Sequence, residues 1–223
     1  MAGRPPLETY FRALLRHFGP QGWWPAETPF EVMVGAILTQ NTAWTNVEKA
    51  ILNLKAGNLL DPRRLHETDA GTLALALRPA GYFNVKARRL KSFIAWFMDR
   101  AGGDAGRLRP IPPARLREEL LEVRGVGRET ADSILLYALG IPTFVVDAYT
   151  WRILSRHGLV PEETTYEEMK DLFERNLPRD AKLYNEFHAL LVAAGKDFCR
   201  PVPRCGKCPL RKFLPKGGPV GGK

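Results

Sequence analysis

Apolar residues recur at intervals of three and four through most of the chain, the spacing that lines one face of a helix. Ala131, Ile134, Leu135 and Ala138 fall at i, i+3, i+4 and i+7, and Gly140 with Pro142 supplies the stop. Met169, Leu172 and Phe173 pattern a later helix in the same way. Helix starts are also legible. Thr28-Pro29-Phe30-Glu31 reads as a capping box with proline at the first helical position, opening a helix towards Gln40, and Thr165 with Glu168 repeats the signature. The β-like run Thr143-Phe144-Val145-Val146 has no alternating partner, so it predicts the lead into a helix rather than a sheet. The pattern predicts an all-α fold. Glycine and proline interrupt it over 101–113 and again after Leu214, where PKGGPVGGK reads as a flexible basic tail.

Composition narrows the class of partner. The 223 residues suffice for a sizeable core, and 33 Lys plus Arg against 24 Asp plus Glu leave a net charge of +9. Such a surplus favours an anionic partner, with nucleic acid the leading candidate. No apolar run approaches the length of about 18 residues that a membrane span needs, and MAGRPPLETYF lacks an apolar signal core. A soluble, cytoplasmic protein without a membrane partner is expected, nucleoid-associated if bacterial. Cys199, Cys205 and Cys208 fall within ten residues near the C-terminus, a better metal-site pattern than a disulfide framework.

One segment does not follow from helix periodicity. Arg124-Gly125-Val126-Gly127-Arg128 joins two amphipathic runs through flexible, positively charged backbone. Glycines let backbone N–H groups approach an anion closely, and the next helix adds its positive dipole end. Gly125, Val126 and Gly127 could thus cradle a phosphate, with Arg124 and Arg128 adding charge; the plainer alternative is a tight turn between antiparallel helices. Some 20 residues later Asp147 precedes the helical run AYTWRILSRHG, where it could cap a helix, serve as a carboxylate in chemistry, or both.

The stretches LLEVRGVGRETADSILLYALG (120–140), PTFVVDAYTWRIL (142–154), GAILTQNT (35–42) and GKDFCRPVPRCGKCPL (195–210) together resemble the helix-hairpin-helix DNA glycosylase superfamily, in its endonuclease III-like branch. The resemblance implies an all-α fold of two helical lobes with a cleft between them. Residues 30–140 would form an inserted helical barrel, 1–29 plus 141–214 the second lobe, and 215–223 the tail. It implies a monomer that acts on double-stranded DNA containing damaged bases. Asp147 matches the family's catalytic aspartate, whose carboxylate would stabilise positive charge on the sugar and assist a water.

Bifunctional members carry a lysine directly after the hairpin, whose amine forms a Schiff base with the sugar. Glu129 stands there, and a carboxylate cannot form that imine. The implied enzyme is a monofunctional glycosylase that does not cut the strand. Trp23 and Trp24, with GAILTQNT and PAGYFNVKA (79–87), resemble the type III 3-methyladenine DNA glycosylases, implying a stacking pocket for a flipped alkylated purine in which Glu129 bears on base preference. Gln40 matches the residue that wedges into the duplex; a buried amide bonding helix ends is its structural alternative. Lys86, Arg88 and Arg89 read as phosphate contacts, a solvated helix face being the plainer alternative for such a charge run.

The family's iron–sulfur loop carries four cysteines, spaced about Cys-x6-Cys-x2-Cys-x5-Cys. Here Cys199, Cys205 and Cys208 are present and Leu214 occupies the fourth place, so the resemblance leaves two expectations open, a [4Fe–4S] cluster on an incomplete ligand set or a labile or lost one, as in the lineage the type III alkyladenine glycosylases resemble, with zinc the weaker alternative. His188, on an otherwise apolar helix, reads as a hydrogen-bonded core residue rather than the missing ligand. Two other readings stay open: an endonuclease III-like glycosylase and lyase on oxidised pyrimidines, and a non-catalytic DNA-structure binder.

Overall fold

The computed structural model describes residues 6–221. Among them the chain forms eleven α-helices and no strand, as the hydrophobic periodicity predicts. These divide into two compact units, one of residues 1–23 and 142–223, the other of residues 24–141. The boundary falls inside the tryptophan pair, with Trp23 on one side and Trp24 on the other.

The unit 24–141 holds α2 (Pro29–Leu38), α3 (Trp44–Ala56), α4 (Pro62–Glu67), α5 (Ala70–Ala76), α6 (Phe83–Ala101), α7 (Pro113–Glu122) and α8 (Arg128–Ser133). Helix α2 is buried from Phe30 to Leu38, consistent with its almost unbroken apolar sequence PFEVMVGAIL. The amide of Glu31 donates to Thr28 Oγ1, as the capping box predicts, but the reciprocal half differs. The Glu31 carboxylate accepts from the Glu27 amide at 3.1 Å and pairs with Lys55 Nζ at 3.0 Å, tying α2 to α3. The face Ala131, Ile134, Leu135 and Ala138 is buried as expected, yet after Ser133 the helix widens into a π-helical segment, Ile134–Ala138. Single-turn π segments inside helices occur often at functional sites.

The other unit holds α1 (Leu7–Phe18), α9 (Ala148–Arg156), α10 (Tyr166–Asn176) and α11 (Ala181–Asp197). Thr165 and Glu168 form the full capping box at α10. The run Thr143–Val146 is buried and forms neither helix nor strand, and α10 anchors it: Glu174 Oε1 accepts from the Phe144 amide at 2.8 Å and from the Thr143 hydroxyl Oγ1 at 3.3 Å. Phe144 stacks on Phe173 with ring centroids 3.8 Å apart, and Phe187 of α11 meets both edge-on. The buried run is thereby anchored, and it delivers Asp147 to the start of α9. The segment expected as a free tail is bonded to this unit over its described part, because the Val220 amide donates to Arg156 O at 2.9 Å; Gly222 and Lys223 lie outside the described residues.

Candidate functional site

Asp147 caps α9. Its Oδ1 accepts from the Thr150 amide at 2.7 Å and from Thr150 Oγ1 at 2.9 Å, satisfying a backbone N–H left over by the helix start. Its Oδ2 lies 3.6 Å from His188 Nε2 on α11, the two side chains being 11% and 7% exposed. Burial pushes the Asp147 pKa up, but His188 and the Thr150 bonds outweigh it and hold the carboxyl below the ordinary aspartate value. The cap and the ionised carboxylate are one and the same group. Helix α11 reaches α9 this closely because Gly195 has no side chain: a Cβ there would lie 2.3 Å from Tyr149 Cδ1. His188 sits two turns before Gly195 on the same face.

In the other unit, α7 and α8 are joined by the glycine hairpin. Gly125 has φ +92°, and a Cβ on it would lie 2.3 Å from Arg89 Cγ, so glycine is required both for the turn and for the arginine stem from α6. The Arg89 guanidinium donates to Gln40 Oε1. Gln40 Nε2 in turn donates to Gly125 O and Thr130 Oγ1, each at 2.9 Å. Gln40, expected as a duplex wedge or as a buried amide bonding helix ends, has both amide atoms bonded within the protein, Nε2 to the hairpin and the start of α8 and Oε1 to Arg89 of α6. Arg117 Nε and Nη2 meet the two oxygens of the fully buried Asp132 at 2.8 and 3.0 Å, a fork that ties α7 to α8 across the turn. Arg124, Gly127, Arg128 and Glu129 are exposed, and nothing stands within 4 Å of a Cβ placed on Gly127.

Two expectations for phosphate contacts fail on burial. Val126 is 6% exposed, and its amide already donates to Val123 O at 2.9 Å. Lys86 is 1% exposed: Nζ donates to Leu38 O at 2.7 Å, to Ala80 O at 2.8 Å and to Thr42 Oγ1. Its helix position looked like part of a basic face, but the ammonium points inward and its three protons meet three acceptors. Burial and the neighbouring Arg89 charge lower its pKa to about 8. Lys86 is thus a post holding the loop of Gln40 to the loop before α6. Both loops carry residues in the left-handed region, Asn41 (φ 52°) and Tyr82 (φ 46°), and Tyr82 is 74% exposed. A bulky side chain in that conformation is strained, as often found at functional positions. No periodicity marks it beforehand.

Trp24 lies on Gly35 of α2, where a Cβ would come within 3.1 Å of its Cζ2. Its ring meets Trp44 edge-on at 5.1 Å and Tyr137, in the π-helical segment, at 5.3 Å. The 93 positions between Trp44 and Tyr137 leave this grouping invisible along the sequence.

Cys199, Cys205 and Cys208 line one cavity of about 20 Å³, room for roughly one water, together with Leu210, Leu214 and His157. Leu214 presents an apolar side chain where a fourth ligand is needed, and His157 Nδ1 is 2.8 Å from Tyr10 Oη. Among the described residues no three His, Cys, Asp or Glu side chains are grouped as a metal ion requires. These residues fit neither a four-thiolate cluster nor tetrahedral zinc. The loop is held by protein instead: the Arg156 guanidinium donates to Arg200 O at 2.5 Å and Pro201 O at 2.7 Å and contacts Cys199 Sγ at 3.4 Å. No helix among the described residues is long and apolar enough to cross a membrane.

An all-helical chain with a glycine hairpin between two helices, followed by a largely buried aspartate at a helix start, defines a helix-hairpin-helix DNA glycosylase fold. Residues 34–179 match the HhH-GPD superfamily of base excision DNA repair proteins, and the chain belongs to that superfamily as a DNA glycosylase. A Methanocaldococcus jannaschii protein, provisionally named a DNA repair glycosylase, is 48% identical over 204 residues, 91% of this chain and 93% of its own. Endonuclease III of Thermotoga maritima is 30% identical over 184 residues, covering 82% and 81% of the two chains. Among solved structures, the H. pylori 3-methyladenine DNA glycosylase bound to 1,N6-ethenoadenine has a TM-score of 0.75 at 29% identity, covering 85% of this chain and 97% of that one. A non-covalent endonuclease III–DNA complex shares the fold, with a TM-score of 0.82 at 22% identity over 97% of both chains.

Proposed function

We propose that the protein is a monofunctional glycosylase that hydrolyses the N-glycosidic bond of alkylated purines flipped from double-stranded DNA. Two separate observations carry the reading: Asp147 is a carboxylate held ionised at a helix start, and the residue directly after the hairpin, Glu129, is an exposed carboxylate. As the C1′–N bond breaks, its electron pair leaves with the base and positive charge grows on the sugar. Asp147 stabilises that charge and takes a proton from the water that adds to C1′. An N3- or N7-alkylated purine already carries positive charge, so it departs without a strong general acid. Trp24 and Trp44 supply aromatic faces that suit such an electron-poor base, and the similarity to the H. pylori 3-methyladenine enzyme supports this substrate class. Gly127 and the exposed Arg124 and Arg128 suit a DNA phosphate.

The test is a duplex panel of alkylated purines, oxidised pyrimidines, uracil and mismatches, scored separately for base release and for nicking. The expected outcome is release of alkylated purines with intact abasic strands, abolished in Asp147→Asn. Release of oxidised pyrimidines with strand cleavage, and a borohydride-trapped covalent adduct, would instead identify a lyase using another amine. Salt-sensitive duplex binding with no release from any lesion would identify a non-catalytic binder.

A further inference from the structure

Asp147 is held by two groups of different kinds. Thr150, on its own helix, takes Oδ1 through a backbone and a hydroxyl proton, as any helix cap does. His188 comes from α11, 41 positions away in sequence, and faces the other oxygen, Oδ2, from 3.6 Å. A cap needs one oxygen only, so the histidine is surplus to the structural role. Its placement is also costly. A 6% exposed imidazole sits among Phe187, Ala189, Leu191 and Val192 on a largely apolar helix, and the close approach of that helix depends on Gly195.

We infer that His188 is a positioning residue for the glycosylase reaction: it keeps Oδ2 of Asp147 ionised and aimed, so that the oxygen not spent on the helix cap stays available to the sugar. The inference rests on the reading of Asp147 as the working carboxylate. A buried carboxylate without a partner would bind a proton more readily, and a protonated acid neither stabilises positive charge at C1′ nor accepts a proton from water. Thr150 on α9 and His188 on α11 are the groups acting on this carboxylate. Thr150 secures the helix start, and His188, the larger of the two influences, adds to Thr150's hold on the charge.

The experiment is single-turnover base release from N-methylated duplex DNA as a function of pH, with DNA affinity measured separately. The proteins compared are the wild type, His188→Phe, His188→Gln and Asp147→Asn, the folding of each checked by circular dichroism. His188→Phe is expected to lower the rate constant at neutral pH by about tenfold or more through the lost aim of Oδ2, with DNA affinity within about twofold, and separately to move the acid limb of the profile to higher pH, because a buried carboxylate without this partner binds a proton more readily. His188→Gln, which keeps an N–H-bearing side chain facing Oδ2, is expected to recover part of the rate and to return the limb towards that of the wild type. Should His188→Phe not fold, the Gln variant carries the test through its acid limb, which must lie above that of the wild type. An unmoved limb with an unchanged rate overturns the role of His188 while Asp147→Asn remains inactive. An active Asp147→Asn overturns the prior reading of Asp147 instead.

Discussion

The hairpin allows a paired test of which glycine serves the fold. Gly125→Ala places a Cβ at positive φ, costing about 1–2 kcal/mol for an L-residue in that region. The same Cβ would lie 2.3 Å from Arg89 Cγ, 2.9 Å from Cδ and 3.0 Å from Cβ, so it meets the rigid stem of the side chain and not its flexible end. Arg89 cannot simply swing away, since its guanidinium holds Gln40, which holds the Gly125 carbonyl and Thr130. Overpacking of this kind adds about 1–3 kcal/mol, giving a loss of about 2–5 kcal/mol, a large share of a stability of about 5–15 kcal/mol. Gly127→Ala meets nothing within 4 Å and starts from φ −97°, so its cost should stay below about 1 kcal/mol. Urea denaturation of both variants, with fluorescence anisotropy on a short duplex, separates the two. Gly125→Ala should lose stability, and Gly127→Ala should keep it and lose DNA affinity. A Gly125→Ala protein as stable as the wild type would refute the packing argument.

Other consequences of the geometry can be measured directly. Arg117→Met leaves Asp132 buried without its forked cation and should cost about 3 kcal/mol in denaturant unfolding, with hydrogen exchange rising first across 123–128; unchanged exchange there would disprove the tie between α7 and α8. His157 is depressed by burial to about 4 from 6.5, so the unfolded chain binds its proton first as the pH falls. Its contribution is complete above pH 6.5 and is lost as the pH drops from 6.5 towards 4, by about 3 kcal/mol at most. Denaturation series at pH 7, 5.5 and 4.5 should show that slope in the wild type and a smaller one in His157→Gln.

Local rules carried the helices far. Thr165 with Glu168, and the spacing of Ala131, Ile134, Leu135 and Ala138, needed only contacts within a turn or two, and the structure places them as expected. The glycines of the hairpin and the lead to Asp147 were legible for the same reason, since conformational freedom and capping are properties of adjacent residues. Burial of a long side chain is different, because a lysine on a helix can point either way until the loops around it exist. Lys86 therefore read as a phosphate contact, although Leu38, Thr42 and Ala80 turn it inward. Gln40 likewise read as a wedge because its partners, Gly125 and Arg89, are 85 and 49 residues away.

The same distance separates what each level decided about the chemistry. The sequence alone determined the helical class, the excess of positive charge, the hairpin, the aspartate that follows it and a glutamate directly after the hairpin, all of them identities or short-range spacings. Tertiary structure alone decided that Asp147 faces His188, that Trp24 meets Trp44 and Tyr137, and that Leu214 lines the cysteine cavity. Those are contacts between segments that only the packing of helices brings within a few ångströms, and no pattern along the chain encodes them.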